Sequence, residues 1–530
     1  MLVLARGRVL SLVNLTPWHS GLAVLPIFLL VATQLKFQWS AARAGSVAMG
    51  VAAGIAWAQF GLPSDLLFAA AAKGLSLSMF VLAIIWASVF LYNLMQETGA
   101  IATIGNSLAR LGGDQLSKAL LISWCFSGFT QGVTGFGVPV AIGTPLMRML
   151  GIPAVVSVVA VLVGHAWAVT FGSMGSSYFT IQLVSDIDGQ VLGPHLALLF
   201  VLPTIATGFC VAHIVGGVQG VTKGFPVICL TGGILSVLMW VMTKFGVPQL
   251  ASIVPACVAC ISLGCYLHIF GRLSDGTSDR RGSSSFSDRN VLLALLPYLL
   301  IIVFTLVSQI SYVQQLGERL SWGMDYPSGV TTLGYHIAEA PDYAAISLIN
   351  HPAPLIIFSV VVTYIGFRVE RLWKKGSTYR AAIATVKQSY RSTIGIATML
   401  MTALIMMDSG MVTLLADGIA RGTGQLFPFV SPFIGVLGAF LTGSNTNSNV
   451  MFGHLQVATA ERLGFNQTTL ASTQSIGGSL GSSIAPAKVI VGTTLVGLND
   501  RESEVIRGAL PYCLILVSLV GIEALVIGVH

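Results

Sequence analysis

Two polar stretches interrupt an otherwise apolar chain and decide its fold. Residues 127–139 read Ser-Gly-Phe-Thr-Gln-Gly-Val-Thr-Gly-Phe-Gly-Val-Pro, and residues 442–449 read Thr-Gly-Ser-Asn-Thr-Asn-Ser-Asn. Neither continues well as a lipid-facing helix, because Gly costs about 1 kcal/mol against Ala in a helix interior and Ser and Asn compete for backbone hydrogen bonds. Backbone freed from a helix at membrane depth must be buried in protein or face water. We therefore interpret 119–147 and 430–460 as re-entrant hairpins; two ordinary water-exposed loops are the alternative.

The composition of the whole chain is that of a membrane protein. Hydrophobic residues make up 54% of the 530 residues and charged residues only 9%, where a soluble chain carries about 25% charged residues. So few charges cannot cover the surfaces of the roughly three soluble domains that this length would form. The net charge of +7 comes without a basic tract interleaved with aromatics, so we expect no nucleic-acid partner. No catalytic triad, metal-binding motif or phosphate-binding loop occurs, so we expect neither an enzyme nor a cofactor or metal.

About 20 apolar residues cross the hydrocarbon core as a helix. The sequence therefore predicts an all-α polytopic membrane protein with about 12 transmembrane helices plus the two re-entrant hairpins. The basic loops 271–290 and 368–391 are placed in the cytoplasm by the positive-inside rule, and the loop 313–351 between them is placed outside. The predicted spans are 18–35, 42–60, 75–96, 154–178, 197–217, 225–243, 250–269, 291–312, 352–367, 393–409, 465–497 and 508–529.

The chain also contains a weak internal repeat. Glu97-Thr-Gly99 is echoed by Asp408-Ser-Gly410, and Gly172-Ser-Met-Gly-Ser-Ser177 is echoed by Gly478-Ser-Leu-Gly-Ser-Ser483. An odd number of predicted crossings separates the copies, which predicts an inverted repeat, a plan that recurs in secondary transporters. The predicted organisation is N-terminal spans 1–62, a first repeat 63–220 with a helix break at 172–177, connecting spans 221–375, and a second repeat 376–530 with a helix break at 478–483.

The four polar breaks are expected to converge on one binding site. A broken helix presents free N–H groups that favour anions, and the serine hydroxyls add neutral donors. This chemistry suits a small carboxylate, whereas close helix packing by small residues is the alternative explanation of the two Gly-Ser segments. The candidate substrate-binding residues are Gln131, Gly132, Thr134, Gly135, Ser173, Gly175, Ser176, Ser444, Asn445, Thr446, Asn447, Ser479 and Ser482.

Ionisable residues at membrane depth are costly unless they are paired or functional. Glu97, Asp408, His165 and His454 are therefore candidates for coupling to a cation. The alternatives are that the two acids face water and that the two histidines are packed, hydrogen-bonded residues. Lys488 follows the second break and either counters a substrate carboxylate or extends to the membrane surface.

Five stretches of the sequence together are fairly specific. They are Val89-Phe-Leu-Tyr-Asn-Leu94, Gly135-Phe-Gly-Val-Pro-Val-Ala-Ile142, Phe171-Gly-Ser-Met-Gly175, Thr442-Gly-Ser444 with Ser448-Asn449, and Leu455-Gln-Val-Ala-Thr-Ala460. At these residues the sequence resembles the L-lactate permease family. The resemblance implies a secondary active transporter, a symporter moving a small 2-hydroxy monocarboxylate such as L-lactate or glycolate by alternating access. It also implies proton coupling and a multi-pass location in a bacterial inner membrane.

Three positions depart from what the resemblance leads us to expect. Gln131 and Asn445 stand where acidic residues are expected, and Ser482 stands where a lysine is expected. These departures leave the coupling ion and the exact substrate open. A dicarboxylate or sulfonated acid carried with sodium, and an anion channel lined by the hairpin tips, remain alternatives.

Overall fold

The computed structural model describes residues 17–37, 39–109, 113–135, 137–274, 288–369, 373, 375–498 and 501–527. Most of the predicted basic loop 271–290 lies outside these residues. The helices of the first half are α1 Pro17–Leu35, α2 Ala41–Ala58, α3 Ser64–Glu97, α4 Ala100–Ala109, α5 Gln115–Leu120, α6 Ser127–Val133, α7 Val138–Met149, α8 Ala154–Gly164, α9 Gly172–Ser185, α10 Gly189–Leu199, α11 Val201–Lys244 and α12 Ile253–Ser274.

The second half of the chain is also mostly helical and contains a small β-structure. Its helices are α13 Asp288–Ser308, α14 Ser311–Arg319, α15 Pro352–Val369, α16 Ser377–Asp408, α17 Met411–Thr423, α18 Phe427–Thr442, α19 Asn445–Leu463, α20 Gln467–Gly481, α21 Pro486–Leu495 and α22 Glu502–Ile527. Its strands are β1 Ser321–Tyr326, β2 Gly329–Val330, β3 His336–Ile337 and β4 Ala340–Ser347.

The described residues contain nine helical segments that are long and apolar enough to cross a membrane, or ten if the bent pair α8–α9 counts as one span. The predicted class, a polytopic α-helical membrane protein, is confirmed. The predicted number of twelve spans plus two hairpins is not. The segment named α11 consists of two helices that meet at Gly217, whose φ of 59° glycine adopts freely, and Gly208 packs against Ile228 and Gly232 against Ile205, so the predicted spans 197–217 and 225–243 lie side by side.

Helices α3 and α16 pack antiparallel along their lengths. Trp86 donates a hydrogen bond to Thr393 at 2.9 Å, and Asn93 donates one to Thr385 at 3.1 Å. Both helices begin earlier than their predicted spans, and α16 includes residues 377–391 of the predicted basic loop 368–391. The reason is that Ala381, Thr385 and Ser389 recur every fourth residue and are buried, so this basic segment is amphipathic and helical.

An ion pair joins α3 to α16 at each end of their contact. Lys73 lies 3.1 Å from Asp408, and Arg380 lies 2.7 Å from Glu97. The 24 residues between Lys73 and Glu97 span about 36 Å of helix, so the two pairs lie near opposite faces of the membrane. This antiparallel arrangement is what an inverted repeat requires, and the repeat itself stays a prediction.

Both polar stretches form helical hairpins with short tips. The first hairpin consists of α5, a π-helix over Leu121–Phe126, α6 and α7, and it turns between Val133 and Val138. The second consists of α18 and α19, with Gly443 at φ 72° in the turn. Residues 127–133 and 445–449, which we expected to be non-helical, are helical. Both stretches are buried in protein. The Ser127 and Thr130 hydroxyls donate to the Ile122 and Ser127 carbonyls of their own arm, whereas Asn445, Ser448 and Asn449 donate to neighbouring segments.

The two predicted helix breaks are present but differ in position. Between α8 and α9 the chain bends by 53°, and Ser173, Met174 and Gly175 adopt left-handed φ angles of 48°, 53° and 79°. In the second half, α20 remains helical through Gly481, and the chain leaves the helix at residues 482–485, later than the predicted 478–483. Pro486 then begins α21. Proline suits this first position because the N–H group that it lacks would have no partner within the helix.

The segment 313–351, predicted only as an outside loop, is folded. Strands β1 and β4 pair antiparallel, as do β2 and β3. The hydroxyl of Tyr326 lies 2.6 Å from that of Ser76 on α3, and the Thr332 amide donates to the Gly61 carbonyl at 2.9 Å. These contacts fix the β-structure against one end of the helices.

A glycine sets the distance between α3 and α16, which gives a prediction on stability. A Cβ on Gly74 would lie 2.5 Å from the Cα of Met401, so Gly74→Ala is expected to force the helices apart. We expect a loss of about 1–3 kcal/mol, seen as a lower unfolding temperature in detergent. Gly50→Ala on α2 is the control, because nothing lies within 4 Å of its Cβ position. Equal unfolding temperatures for both variants would contradict this account.

Candidate functional site

The first hairpin tip contacts the first helix break. The Ser173 hydroxyl donates a hydrogen bond to the Thr134 carbonyl at 3.0 Å. Gly135 packs against Ser173, and Gly172 packs against the side chain of Gln131. The glycines allow this close approach because they carry no Cβ.

The second hairpin tip contacts the same break from the other half of the chain. The amide of Asn445 donates to the Thr170 hydroxyl at 3.0 Å, and the hydroxyls of Thr446 and Ser177 lie 2.8 Å apart. Asn449 donates to the Ser177 carbonyl at 3.0 Å. The segment 170–177 is therefore held between both hairpin tips.

Helix α20 of the second break completes this cluster. The Thr170 amide donates to the Ser479 hydroxyl at 3.2 Å, and Ser479 in turn donates to the Ala166 carbonyl at 2.6 Å. The Thr170 hydroxyl donates to the Ser475 carbonyl at 3.0 Å. The four polar segments predicted to converge thus lie in contact, and we call their described residues together the polar centre: 131–135, 137, 165–177, 443–449 and 475–488.

Four helices begin in the polar centre. α7 and α19 start at the hairpin tips, and α9 and α21 start at the breaks. The β-carbon position of Gly443 lies 3.2 Å from Ala487, and that of Gly137 lies 3.6 Å from Val491, so α21 contacts both tips. Each helix N-terminus carries a partial positive charge, and four together favour a bound anion.

Lys488 adds a buried amino group to this place, and a bound anion would favour its charged form. Its ammonium group donates to the Ser482 hydroxyl at 3.0 Å and lies 3.4 Å from Nε2 of His165, and the residue is 6% exposed. The other ring nitrogen of His165 donates to the Val161 carbonyl at 2.6 Å, which leaves Nε2 as the acceptor for Lys488. None of the described acids forms an ion pair with Lys488, and the four segments of the polar centre contain no Asp or Glu.

Several buried amide oxygens of the polar centre have no hydrogen-bond partner among the described residues. An unsatisfied polar group in a buried place is costly and calls for a partner that is not part of the chain. The free oxygens belong to Gln131, Asn445, Asn447 and Asn449.

The glycines of the second Gly-Ser segment also serve helix packing. Gly478 lies against Asn445, and a Cβ on Gly481 would lie 2.6 Å from the Cα of Val436 on α18. The serines of the segment point elsewhere: Ser479 bonds to residues 166–170, and Ser482 donates to the Ser479 carbonyl. Close helix packing therefore explains the glycines of this segment, and participation in the polar centre explains its serines.

Some of the predicted substrate-binding residues have a local structural role and do not contact the other segments of the polar centre through their side chains. Ser444 caps the N-terminus of α19 by accepting from the Asn447 amide, and Gly132 packs against Ile253 of α12. Gly175 packs against Phe179 and Gln249, so its φ of 79° shapes the break. The residues in direct contact within the centre are Gln131, Thr134, Gly135, Ser173, Asn445, Thr446, Ser479 and Ser482, while Ser176 and Asn447 are buried beside them.

The four coupling candidates lie in three different places. His165 is in the polar centre, beside Lys488. Asp408 and His454 line a separate cavity, and Glu97 pairs with Arg380 at the far end of α3.

Sequence reasoning missed Thr170, Ser475 and Asn449, and it left Lys488 undecided. A signal for Ser475 was available, because Ser472, Ser475, Ser479 and Ser482 recur at helical spacing and form a polar stripe along α20. No such pattern marks Thr170, whose position depends on the contact between the two halves.

A multi-pass helical protein whose broken helices and hairpin tips meet in a buried polar centre has the architecture of a membrane transporter. Sequence comparison agrees with this class. The chain belongs to the L-lactate permease family, because the family profile matches residues 20–529. The resemblance noted in the sequence is thereby confirmed, and membership in a permease family indicates a transporter rather than an enzyme.

Similar proteins cover almost the whole chain. It is 27% identical to the L-lactate permease of Escherichia coli (strain K12) over 532 residues, 95% of each chain. It is 28% identical to the glycolate permease GlcA of the same strain over 545 residues, 95% of this chain and 94% of that one. Among solved structures, it aligns with Neisseria gonorrhoeae MtrF at a TM-score of 0.49 and 10% identity, over 97% of this chain and 96% of that one. Bacterial relatives and many apolar helices place the protein in the bacterial inner membrane as a multi-pass protein.

Proposed function

We propose that this protein is a symporter that moves a small 2-hydroxy monocarboxylate, such as L-lactate or glycolate, across the inner membrane. The observation that carries this proposal is the buried ammonium of Lys488, without an acidic partner among the described residues, where four helix N-termini meet. A buried cation with no counter-ion is costly in a membrane, and an organic anion supplies the missing charge. The lactate and glycolate permeases among its relatives support the same substrate class.

The groups of the polar centre match the groups of a 2-hydroxy acid. The carboxylate accepts a charge-assisted hydrogen bond from Lys488. The neighbouring hydroxyl donates to a free amide oxygen, such as that of Asn445 or Asn447. A single ammonium group favours one carboxylate over two, because a second carboxylate would be buried without a counter-charge.

Alternating access requires that the polar centre open to each side in turn. The first hairpin tip contacts segment 170–177 through the hydrogen bond between Ser173 and Thr134, and the second tip contacts it through hydrogen bonds of Asn445, Thr446 and Asn449. Such contacts are individually worth about 1 kcal/mol, so a shift of the tips against this segment is energetically accessible.

We propose proton coupling, and sodium is the second candidate because free amide oxygens suit a hard cation.

Purified protein in proteoliposomes tests this proposal. Labelled L-lactate and glycolate should accumulate when the outside is made acidic, and a sodium gradient at equal pH should give little uptake. Protein-free vesicles and the dicarboxylate malate serve as controls. Sodium-driven uptake would change the coupling ion, and preferred uptake of malate would change the substrate class. Absence of uptake of every 2-hydroxy monocarboxylate would refute the proposed function.

A further inference from the structure

A second set of charged residues lies outside the polar centre, around a cavity of about 420 Å³ between α3, α9, α16, α19 and the β-structure. We call it the Lys73 cavity. Lys73 and Asp408 form an ion pair of 3.1 Å at its wall, with side chains 6% and 7% exposed. Lys73 is the one Lys or Arg among the described lining residues.

The other titratable groups make this cavity acidic. Asp186 from the end of α9 and Glu339 from the β-structure join Asp408, so three carboxylates face one ammonium group. His454 of α19 and His336 of β3 also line the cavity. Burial raises the pKa of the Tyr343 and Tyr335 hydroxyls, so both rings stay neutral. A proton is therefore attracted into this cavity, while a carboxylate is repelled as long as Asp408 is ionised.

The cavity leads toward the polar centre along α9 and α19, which run parallel. Leu183 and Val184 of α9 and Val450 of α19 line the cavity, whereas Ser177 and Thr446 lie deeper. Val450 is four residues from Thr446, about one helical turn or 6 Å. The Ser177–Thr446 hydrogen bond of 2.8 Å closes the seam between the two helices at that depth. A path from the cavity to the polar centre would run along this seam.

A structural role alone explains the Lys73–Asp408 pair poorly. Asp408 is the last residue of α16, where the helix dipole disfavours a carboxylate. A buried ion pair often stabilises no more than apolar residues of similar size. The pair Glu97–Arg380 at the other end of the same helices is different, because it is partly exposed and screened by water.

We propose that Lys73 is a first binding point for the substrate carboxylate and that protonation of Asp408 makes it available. Asp408 takes up one proton and becomes a neutral acid, which releases the Lys73 ammonium group. The carboxylate of a 2-hydroxy acid then replaces Asp408 as the partner of Lys73. One proton and one monocarboxylate enter together, so the net charge of the cavity does not change. This inference rests on the proposed function and adds a site and a coupling step to it.

The test compares exchange with proton-driven uptake in proteoliposomes. Asp408→Asn leaves Lys73 without a competing carboxylate. Proton-driven accumulation is expected to fall by at least about tenfold, while exchange of labelled for unlabelled substrate stays measurable. The KM for exchange, which should rise with external pH in the unmodified protein, is expected to become independent of pH. If Asp408→Asn accumulated substrate like the unmodified protein and kept the same pH dependence of the KM, the proposal would be overturned.

A double variant separates binding from folding. Lys73→Gln combined with Asp408→Asn removes both charges, so no unpaired charge remains buried. This double variant is expected to raise the KM for exchange at least about tenfold. An unchanged KM in this variant would also overturn the proposal. The control is Asp417→Asn with Arg462→Gln, a pair 2.8 Å apart that does not line the cavity and should keep the pH dependence. If the unmodified protein carries no 2-hydroxy acid, the proposed function fails, and this inference fails with it.

Discussion

Replacing Lys488 by Met is expected to reduce the uptake of 2-hydroxy acids about 100-fold. Methionine keeps the length of the side chain but removes the charge that pairs with the substrate carboxylate. Truncating one partner of a buried, hydrogen-bonded charge pair costs about 3 kcal/mol, and each 1.4 kcal/mol is a factor of about ten. The measurement is kcat/KM for labelled substrate in proteoliposomes at one fixed proton gradient.

Two companion measurements separate this role from a general effect on folding. Because Lys488 has no acidic partner among the described residues, removal of its charge leaves no buried carboxylate unpaired. We therefore expect Lys488→Met to unfold at the same temperature as the unmodified protein or at a higher one. Lys244→Met removes an exposed lysine at the end of α11 and should keep normal uptake. Normal uptake by Lys488→Met would place the carboxylate site elsewhere.

Replacing Asn445 by Ala is expected to reduce uptake at least about tenfold. The variant loses the 3.0 Å hydrogen bond from the second hairpin tip to Thr170, and it loses a free amide oxygen that the substrate hydroxyl needs. Leaving a buried polar group without its partner costs about 1–3 kcal/mol. The expected signature is a higher KM for L-lactate together with a smaller effect on a monocarboxylate that lacks the hydroxyl.

Asn466→Ala is the matched control for this variant. Asn466 caps α20 by accepting a hydrogen bond from the Thr469 amide at 3.1 Å, and it lies outside the polar centre. Its removal should lower stability by about 1 kcal/mol and leave the KM unchanged. If the two variants changed KM equally, or if Asn445→Ala affected hydroxylated and unhydroxylated acids alike, Asn445 would have a structural role only.

The two lysines divide the proposed transport cycle between them. Lys73 is neutralised by Asp408, so its availability depends on a proton. Among the described residues, the partners of Lys488 are the neutral Ser482 and His165, so it is available whenever the polar centre is open. In the proposed cycle the substrate carboxylate pairs first with Lys73 and then with Lys488.

The sequence by itself determined the class of the protein and the identity of its polar segments. Composition excludes a soluble fold, because 9% charged residues cannot cover the surface of such a long chain. The polar stretches were also visible, because Gly, Ser and Asn side chains inside an apolar run leave backbone groups that lipid cannot satisfy. The stretch 135–142 and the other stretches quoted with it were enough to predict the family.

Only the tertiary structure decided which residues of the polar segments meet and where each helix ends. Residues 127–133 are helical and buried in protein, where the Ser127 and Thr130 hydroxyls donate to carbonyls of their own arm, and local sequence does not encode this burial. Thr170 bonds to Asn445 and Ser475, which are about 300 residues away in the chain. Lys488 could have extended to the surface, and Asp408 could have faced water. Long-range packing instead buries Lys488 with no acidic partner in the described part of the chain and pairs Asp408 with Lys73, because side-chain environment in a membrane depends on contacts between distant helices.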